Sequence, residues 1–182
     1  MNIVSFFIPF LFTVYTRLQN KKAVAHYLFT FPLAWTIVTC FEPNFEIFRM
    51  FLSFIYIYSI YDFGYLQNDC ETLKKELEPS MRVTYDDLFF YEKYKIMIYT
   101  FRSCVVILLA IYMHISGIKL SIILFPFFIF PIFYIYNSIR SKLNLYIHLI
   151  LAILKHATIV FIILNEFQWS AIFWLFLYHS FC

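Results

Sequence analysis

Glycine is scarce in this chain, which has only two glycines among 182 residues. Walker and Rossmann phosphate loops and the nucleophile elbow need glycines at fixed spacings. The scarcity of glycine therefore argues against these enzyme classes. The cysteines are scattered, at Cys40, Cys70, Cys104 and Cys182. No two of them have the spacing of a zinc site, so the sequence predicts neither a zinc centre nor a disulfide framework.

Charged residues are also scarce, at 14% of the chain, while 63% is hydrophobic. Soluble domains average about 25% charged and about 45–50% apolar residues. So few polar side chains cannot cover a soluble fold. The apolar runs are continuous, whereas a membrane β-barrel has short alternating segments. The composition therefore predicts an all-α, polytopic membrane bundle. The net charge of +3 is too small to imply a nucleic-acid partner.

The apolar runs predict a single transmembrane domain over residues 1–182, with five to six spans plus an N-terminal apolar helix. Residues 1–16 are short of the roughly 20 residues that cross a bilayer. They precede the basic residues Arg17, Lys21 and Lys22, which indicates an interfacial or re-entrant helix, or a short span. The predicted spans are 23–41, 47–66, 96–118, 120–139 and 145–164, followed by a shorter run at 171–182.

The distribution of basic residues predicts the orientation. Ten Lys and Arg residues fall in 17–22, 67–95 and 140–143, whereas the alternate connections contain only Arg49 and Lys119. Basic residues favour the cytoplasmic side of a membrane. The polar stretch at about 67–95 is therefore predicted to be cytoplasmic.

Residues 62–92 hold eight of the eleven acids of the chain. If 62–77 is helical, Asp62, Asp69 and Glu76 are spaced by seven and share one face. Such a face presents the oxygen ligands that Mg²⁺ prefers, and Lys75 and Arg82 could bind phosphate charge beside it. The alternative interpretation is a solvated cytoplasmic loop in which acids and bases balance.

The region from Gly64 to Arg82 resembles the first acidic motif of the UbiA-type intramembrane prenyltransferases. That family has the pattern Asn-Asp-x-x-Asp-x-x-x-Asp at the cytoplasmic end of its second helix, with an arginine downstream. Here Asn68 and Asp69 are in register, Thr72 occupies the place of the second Asp, and Glu76 occupies the final acidic place. Arg82 matches the downstream arginine. The resemblance covers about 20 residues and, loosely, the topology.

The resemblance implies a membrane lipid ligand, namely a prenyl diphosphate bound through Mg²⁺, and possible transfer of the prenyl group. It makes Asn68, Asp69 and Glu76 ligands of the metal and diphosphate, and it makes Arg82 a phosphate-binding residue. The family's second acidic motif has no counterpart, since Glu166 is the only acid after Glu92. Under the resemblance three explanations are open: a truncated or non-catalytic relative, a homodimer that pairs two half-sites, or a second membrane subunit that supplies the other half.

Ionisable residues within apolar runs form a second candidate site. Asp62, His148 and Lys155 are predicted to face the bundle interior, where such groups are commonly functional. They are interpreted either as a phosphate, headgroup or proton site or as inter-helix contacts, with Arg102 or Lys155 pairing Asp62. The alternative function for the whole chain is a non-enzymatic assembly, scaffold or transport subunit whose 62–95 stretch docks a cytoplasmic partner.

Overall fold

The computed structural model describes residues 3–22, 24–25, 46–75, 81–139 and 141–167. Every regular element within these ranges is helical, which confirms the all-α prediction. The α-helices are α1 (Leu11–Arg17), α2 (Ile47–Leu66), α3 (Tyr85–Ile115), α4 (Leu120–Leu124), α5 (Ile129–Ser138) and α6 (Leu143–Leu164). A π-helical turn (Gln67–Glu71) extends α2, and 3-10 turns occupy Ile3–Phe6, Thr72–Lys75 and Phe125–Phe128.

Three helical segments of the described part are long and apolar enough to cross a membrane: Tyr85–Ile115, Leu120–Ser138 and Leu143–Leu164. They coincide with the predicted spans 96–118, 120–139 and 145–164. The predicted span 47–66 is a helix of 20 residues, but it is not among the three because Arg49, Asp62 and four tyrosines interrupt its apolar character. Apart from residues 24 and 25, the predicted span at 23–41 lies outside the described residues, as does the shorter apolar run at 171–182.

Helix α2 is central to the described core, and residues along most of its length are buried. It runs antiparallel to α3, since Asp62 contacts Arg102 and Phe63 contacts Tyr99. It also runs antiparallel to α6, because Arg49 lies at the carbonyl of Ile163 while more C-terminal tyrosines of α2 lie at Lys155. Helix α2 therefore contacts both α3 and α6, and each of these two helices runs in the direction opposite to α2.

Helix α5 runs parallel to α2 and approaches it closely at Gly64. A Cβ atom on Gly64 would lie 2.3 Å from the ring of Phe133. One turn further, Asn137 Nδ2 donates hydrogen bonds to the Gly64 carbonyl at 3.3 Å and to Gln67 Oε1 at 3.1 Å. The absence of a side chain at Gly64 therefore permits the α2–α5 contact.

Proline divides the fourth predicted span. Pro126 lies in the 3-10 turn between α4 and α5, where its missing N–H costs no α-helical hydrogen bond. Pro131 lies in the first turn of α5, a position that also tolerates proline. The predicted span at 120–139 is therefore two short helices joined by a tighter turn.

The N-terminal apolar segment packs inside the bundle as two short pieces, the turn Ile3–Phe6 and α1. Phe6 and Phe12 are fully buried against the end of α2 and the first half of α3. Phe10, between the two pieces, has a φ of 71°, a left-handed conformation that costs about 1–2 kcal/mol for a non-glycine residue. The predicted N-terminal apolar helix is therefore not one continuous helix over the described residues, because the chain bends at Phe10.

Helix α3 begins at Tyr85, well before the predicted span at 96. Thr84 caps it, since its hydroxyl accepts from the Asp87 N–H and the Asp87 carboxylate accepts from the Thr84 N–H. This reciprocal capping box is a strong helix start. The last part of the predicted polar stretch is therefore the polar first third of a 31-residue helix.

Candidate functional site

The buried carboxylate of Asp69 is the centre of the candidate site. It lies in the π-helical turn that follows α2. Arg17, the last residue of α1, binds it through two parallel hydrogen bonds, Nη1 to Oδ2 at 2.8 Å and Nη2 to Oδ1 at 2.9 Å. This is the fork-to-fork geometry with which arginine recognises carboxylate and phosphate groups.

Three further side chains complete what we call the Asp69 cluster, which comprises Arg17, Tyr65, Asn68, Asp69 and Arg82. Asn68 Nδ2 donates to Asp69 Oδ1 at 2.9 Å, and Arg82 Nη1 lies 3.6 Å from the same oxygen. The Arg17 guanidinium stacks over the Tyr65 ring, 4.4 Å from its centroid. Two guanidinium groups therefore share one carboxylate, and the cluster carries a net positive charge.

Asp62 is separate from this cluster and pairs with Arg102 inside the bundle. The two side chains are 0% and 1% exposed, with Arg102 Nη1 3.0 Å from Asp62 Oδ2. Asp62 also accepts hydrogen bonds from the Phe10 N–H at 2.9 Å and from the Thr13 hydroxyl at 2.6 Å. Its carboxylate therefore stabilises the bend that begins α1, with Arg102 as the partner that the sequence suggested for a structural role.

A second charged group surrounds Glu71, on the side of the turn that faces α3. Tyr91 Oη donates to Glu71 Oε1 at 2.9 Å, Lys95 donates to the same oxygen, and Lys74 Nζ lies 3.6 Å from Oε2. Burial alone would raise the pKa of Glu71. The hydrogen bonds from Lys95 and Tyr91, and the charges of Lys74 and Lys95, outweigh that effect and lower its pKa. The carboxylate is therefore held ionised.

The two basic residues predicted on α6 have different surroundings. Lys155 is buried, and its ammonium lies 4.7 Å from the centroid of the Tyr61 ring and 5.5 Å from that of Tyr58. His148 is exposed and contacts the Tyr136 ring at 5.9 Å between centroids. The structure does not bring either residue into contact with Asp62, whose carboxylate accepts hydrogen bonds from Arg102, Thr13 and Phe10.

The Mg²⁺ site implied by the resemblance is only partly within the described residues. The described side chains contain no group of three or more His, Cys, Asp and Glu residues that could hold a metal ion. Glu76, like the side chain of Lys75, lies outside the described part. At Asp69, Arg17 donates to both carboxylate oxygens, so Mg²⁺ would compete with a bidentate guanidinium there.

Sequence reasoning missed Arg17, Glu71 and Lys95 as members of these groups. Arg17 entered the sequence argument only as part of a basic loop, although an arginine directly after an apolar segment is a natural partner for an acid at the end of another. Glu71 and Lys95 were hidden because the π-helical turn changes the angular spacing after Leu66. Cys70 is no candidate nucleophile, since burial raises the pKa of its thiol.

No family model, curated protein or solved structure matches this chain.

Proposed function

We propose that this chain is a multi-pass integral membrane protein that binds the phosphate or diphosphate group of a prenyl lipid at the Asp69 cluster. The observation that carries this proposal is the sharing of the Asp69 carboxylate by Arg17 and Arg82. One carboxylate neutralises one guanidinium, so a positive charge remains for an anionic ligand. Five to six spans and a cytoplasmic 67–95 stretch belong to the same proposal, with the basic-residue distribution as their support.

The position of the cluster supports a lipid phosphate as the ligand. Arg82 is 43% exposed at its side chain, so one of the two guanidinium groups is open to an incoming anion. Arg17 is less exposed and is oriented by its stack on Tyr65. Arginine binds phosphate bidentately and with fixed geometry, which suits a site that must hold a charged group beside a bilayer.

The binding mode we propose uses the guanidinium groups directly. In the UbiA-type family, by contrast, the resemblance implies a carboxylate–Mg²⁺ bridge to the diphosphate. Mg²⁺ would contribute charge neutralisation at Asn68, Asp69 and Glu76, but it would compete with Arg17 for the oxygens of Asp69. We limit the proposal to binding, because prenyl transfer needs a second charged group to neutralise the leaving diphosphate.

The test is calorimetric titration of the detergent-purified protein with geranyl diphosphate, with and without Mg²⁺. Arg82→Gln removes the exposed guanidinium and keeps the Arg17–Asp69 pair. We expect it to raise the Kd about tenfold, the effect of losing one charge-assisted contact. Arg49→Gln, at the opposite end of α2, is the matched control and should bind like the parent. Equal Kd values for Arg82→Gln and the parent would contradict the proposal.

The alternative function is a scaffold whose 62–95 stretch docks a cytoplasmic partner, and one observation favours it. Tyr85 and Phe89, one turn apart at the start of α3, are 81% and 73% exposed. Large aromatic side chains with this exposure are typical of docking surfaces. They are equally typical of residues that lie at a membrane interface.

A nitroxide label distinguishes these two environments. It is placed through Tyr85→Cys in a variant whose four natural cysteines are replaced, and its collisions with oxygen and with a water-soluble nickel chelate are compared. Docking requires the label to meet the nickel chelate more often than oxygen in liposomes. Preferential collision with oxygen would assign Tyr85 to the bilayer interface and remove the support for a docking surface.

A further inference from the structure

A cavity of about 510 Å³ opens between α2, α3 and α5, on the side of α2 that carries Glu71. Its wall is formed by Phe130, Phe133 and Tyr134 of α5, and its polar end by Glu71 and Lys95. Pockets of about 300–1,000 Å³ with apolar walls and a few polar groups are typical ligand sites. The cavity is distinct from the Asp69 cluster, since none of the cluster residues lines it.

The polar end of the cavity lies where lipid headgroups are expected, given the proposed membrane location. Helix α3 has 31 residues and is therefore about 46 Å long. The hydrocarbon core of a bilayer is about 30 Å thick, so one end of α3 extends beyond it. That end is the charged first third, up to Lys95. The α5 aromatics then lie beside the outer part of the hydrocarbon.

The charges at the polar end match one class of headgroup. Glu71 Oε1 already accepts from Tyr91 and Lys95. Lys74 Nζ lies 3.6 Å from Oε2, which is beyond ordinary hydrogen-bond length. A primary ammonium can therefore donate to Oε2, while a phosphate beside it contacts Lys95. A trimethylammonium group has no N–H to donate, and a glycerol headgroup has only neutral hydroxyl donors, whose hydrogen bonds to a carboxylate are weaker than those of an ammonium.

We propose that this cavity binds a bilayer phospholipid of the phosphatidylethanolamine class. The headgroup ammonium pairs with Glu71, the phosphate with Lys95, and the first part of one acyl chain lies against the α5 aromatics. This site is independent of the prenyl-phosphate site, because it uses neither arginine of the Asp69 cluster. Each site is therefore tested with its own variants.

The test is native mass spectrometry of the detergent-purified protein with palmitoyl-oleoyl lipids that carry ethanolamine, choline or glycerol headgroups. We expect the ethanolamine lipid to bind about tenfold more tightly than the choline lipid, since one charge-assisted hydrogen bond separates them. Glu71→Gln should abolish this preference. Lys95→Gln should weaken all three lipids, whereas Lys93→Gln, which changes a lysine of α3 outside the cavity, should keep their order.

A steric variant tests the location of the lipid separately from the charges. Tyr134→Trp enlarges an exposed side chain of the wall and should reduce binding of all three lipids while the far-ultraviolet circular dichroism stays unchanged. Two results would overturn the inference. One is equal affinity of the parent for the ethanolamine and choline lipids, and the other is an ethanolamine preference that survives Glu71→Gln.

Discussion

Replacing Arg102 by methionine tests how the buried ion pair holds the N-terminal segment in the bundle. Arg102 makes three hydrogen bonds: Nη1 to Asp62 at 3.0 Å, Nε to the Phe6 carbonyl at 2.6 Å and Nη2 to the Ser5 carbonyl at 3.1 Å. Methionine fills part of the volume but removes all three. The variant therefore leaves Asp62 buried without its cation and two carbonyl groups without their donor.

Breaking a buried ion pair by removing one partner costs about 3–5 kcal/mol. The fully buried Asp62–Arg102 pair falls within this class, because its members are 0% and 1% exposed. Two effects keep the loss of stability in Arg102→Met within this range. Thr13 and Phe10 continue to donate hydrogen bonds to Asp62, and a buried carboxylate that has lost its cation can take up a proton. Asp62→Asn in the Arg102→Met background should recover about 1–3 kcal/mol, as expected for coupled neighbours.

The assay is unfolding in mixed micelles with increasing dodecyl sulfate, followed by circular dichroism, with linear extrapolation to zero denaturant. Arg49→Met is the matched control. Arg49 faces the partly exposed Glu46 at 3.6 Å, and such pairs contribute about 0–1 kcal/mol. The Phe10 amide should stay protected from exchange in Arg102→Met, since its N–H continues to donate to Asp62. An Arg102→Met cost no larger than that of Arg49→Met would refute the reasoning.

Three further predictions concern contacts around the end of α2. Gly64→Ala should destabilise the protein by about 1 kcal/mol, because overpacking against Phe133 outweighs the better helix propensity of alanine. In the Gly64→Ala variant, a second substitution, Phe133→Leu, should restore stability in the same unfolding assay. Asn137→Ala should cost about 1 kcal/mol by leaving the Gln67 amide oxygen without its donor; Ser138→Ala, which changes an exposed neighbour, should cost less. Because the folded pKa of Glu71 is lowered, its stabilisation is complete above the unfolded pKa of about 4.3 and is lost as the pH falls through the folded value. The stability difference between the parent and Glu71→Gln should therefore shrink below about pH 4, and a constant difference would contradict the lowered pKa.

The helices with uninterrupted apolar sequence were predictable because apolar length alone defines them. Helix α6 begins at Leu143, two residues before the predicted 145, and ends at Leu164 as predicted. The early start of α3 was not predicted, although Thr84 and Asp87 carry the sequence signal of a capping box. That signal lies within the polar stretch, outside the apolar run that defines the predicted span.

The candidate site was predictable only in its residue types. Asn68, Asp69 and Arg82 were named from the motif, and the structure brings these three together. Their main partner, Arg17, is 52 residues from Asp69 and belongs to a different segment. Such a pairing depends on how α1 folds against α2, and no local pattern contains that information. Helical counting also failed beyond Leu66, because a π-helical turn followed by a 3-10 turn departs from 100° per residue.

Binding of geranyl diphosphate to Asp69→Asn, without Mg²⁺, tests the central claim most directly. The substitution keeps the shape of the side chain but removes the charge that neutralises Arg17. If the two guanidinium groups bind the phosphate, the variant should bind at least as tightly as the parent and should need no metal. Binding that requires Mg²⁺ in the parent and disappears in Asp69→Asn would contradict this account and would support a carboxylate-held metal in its place.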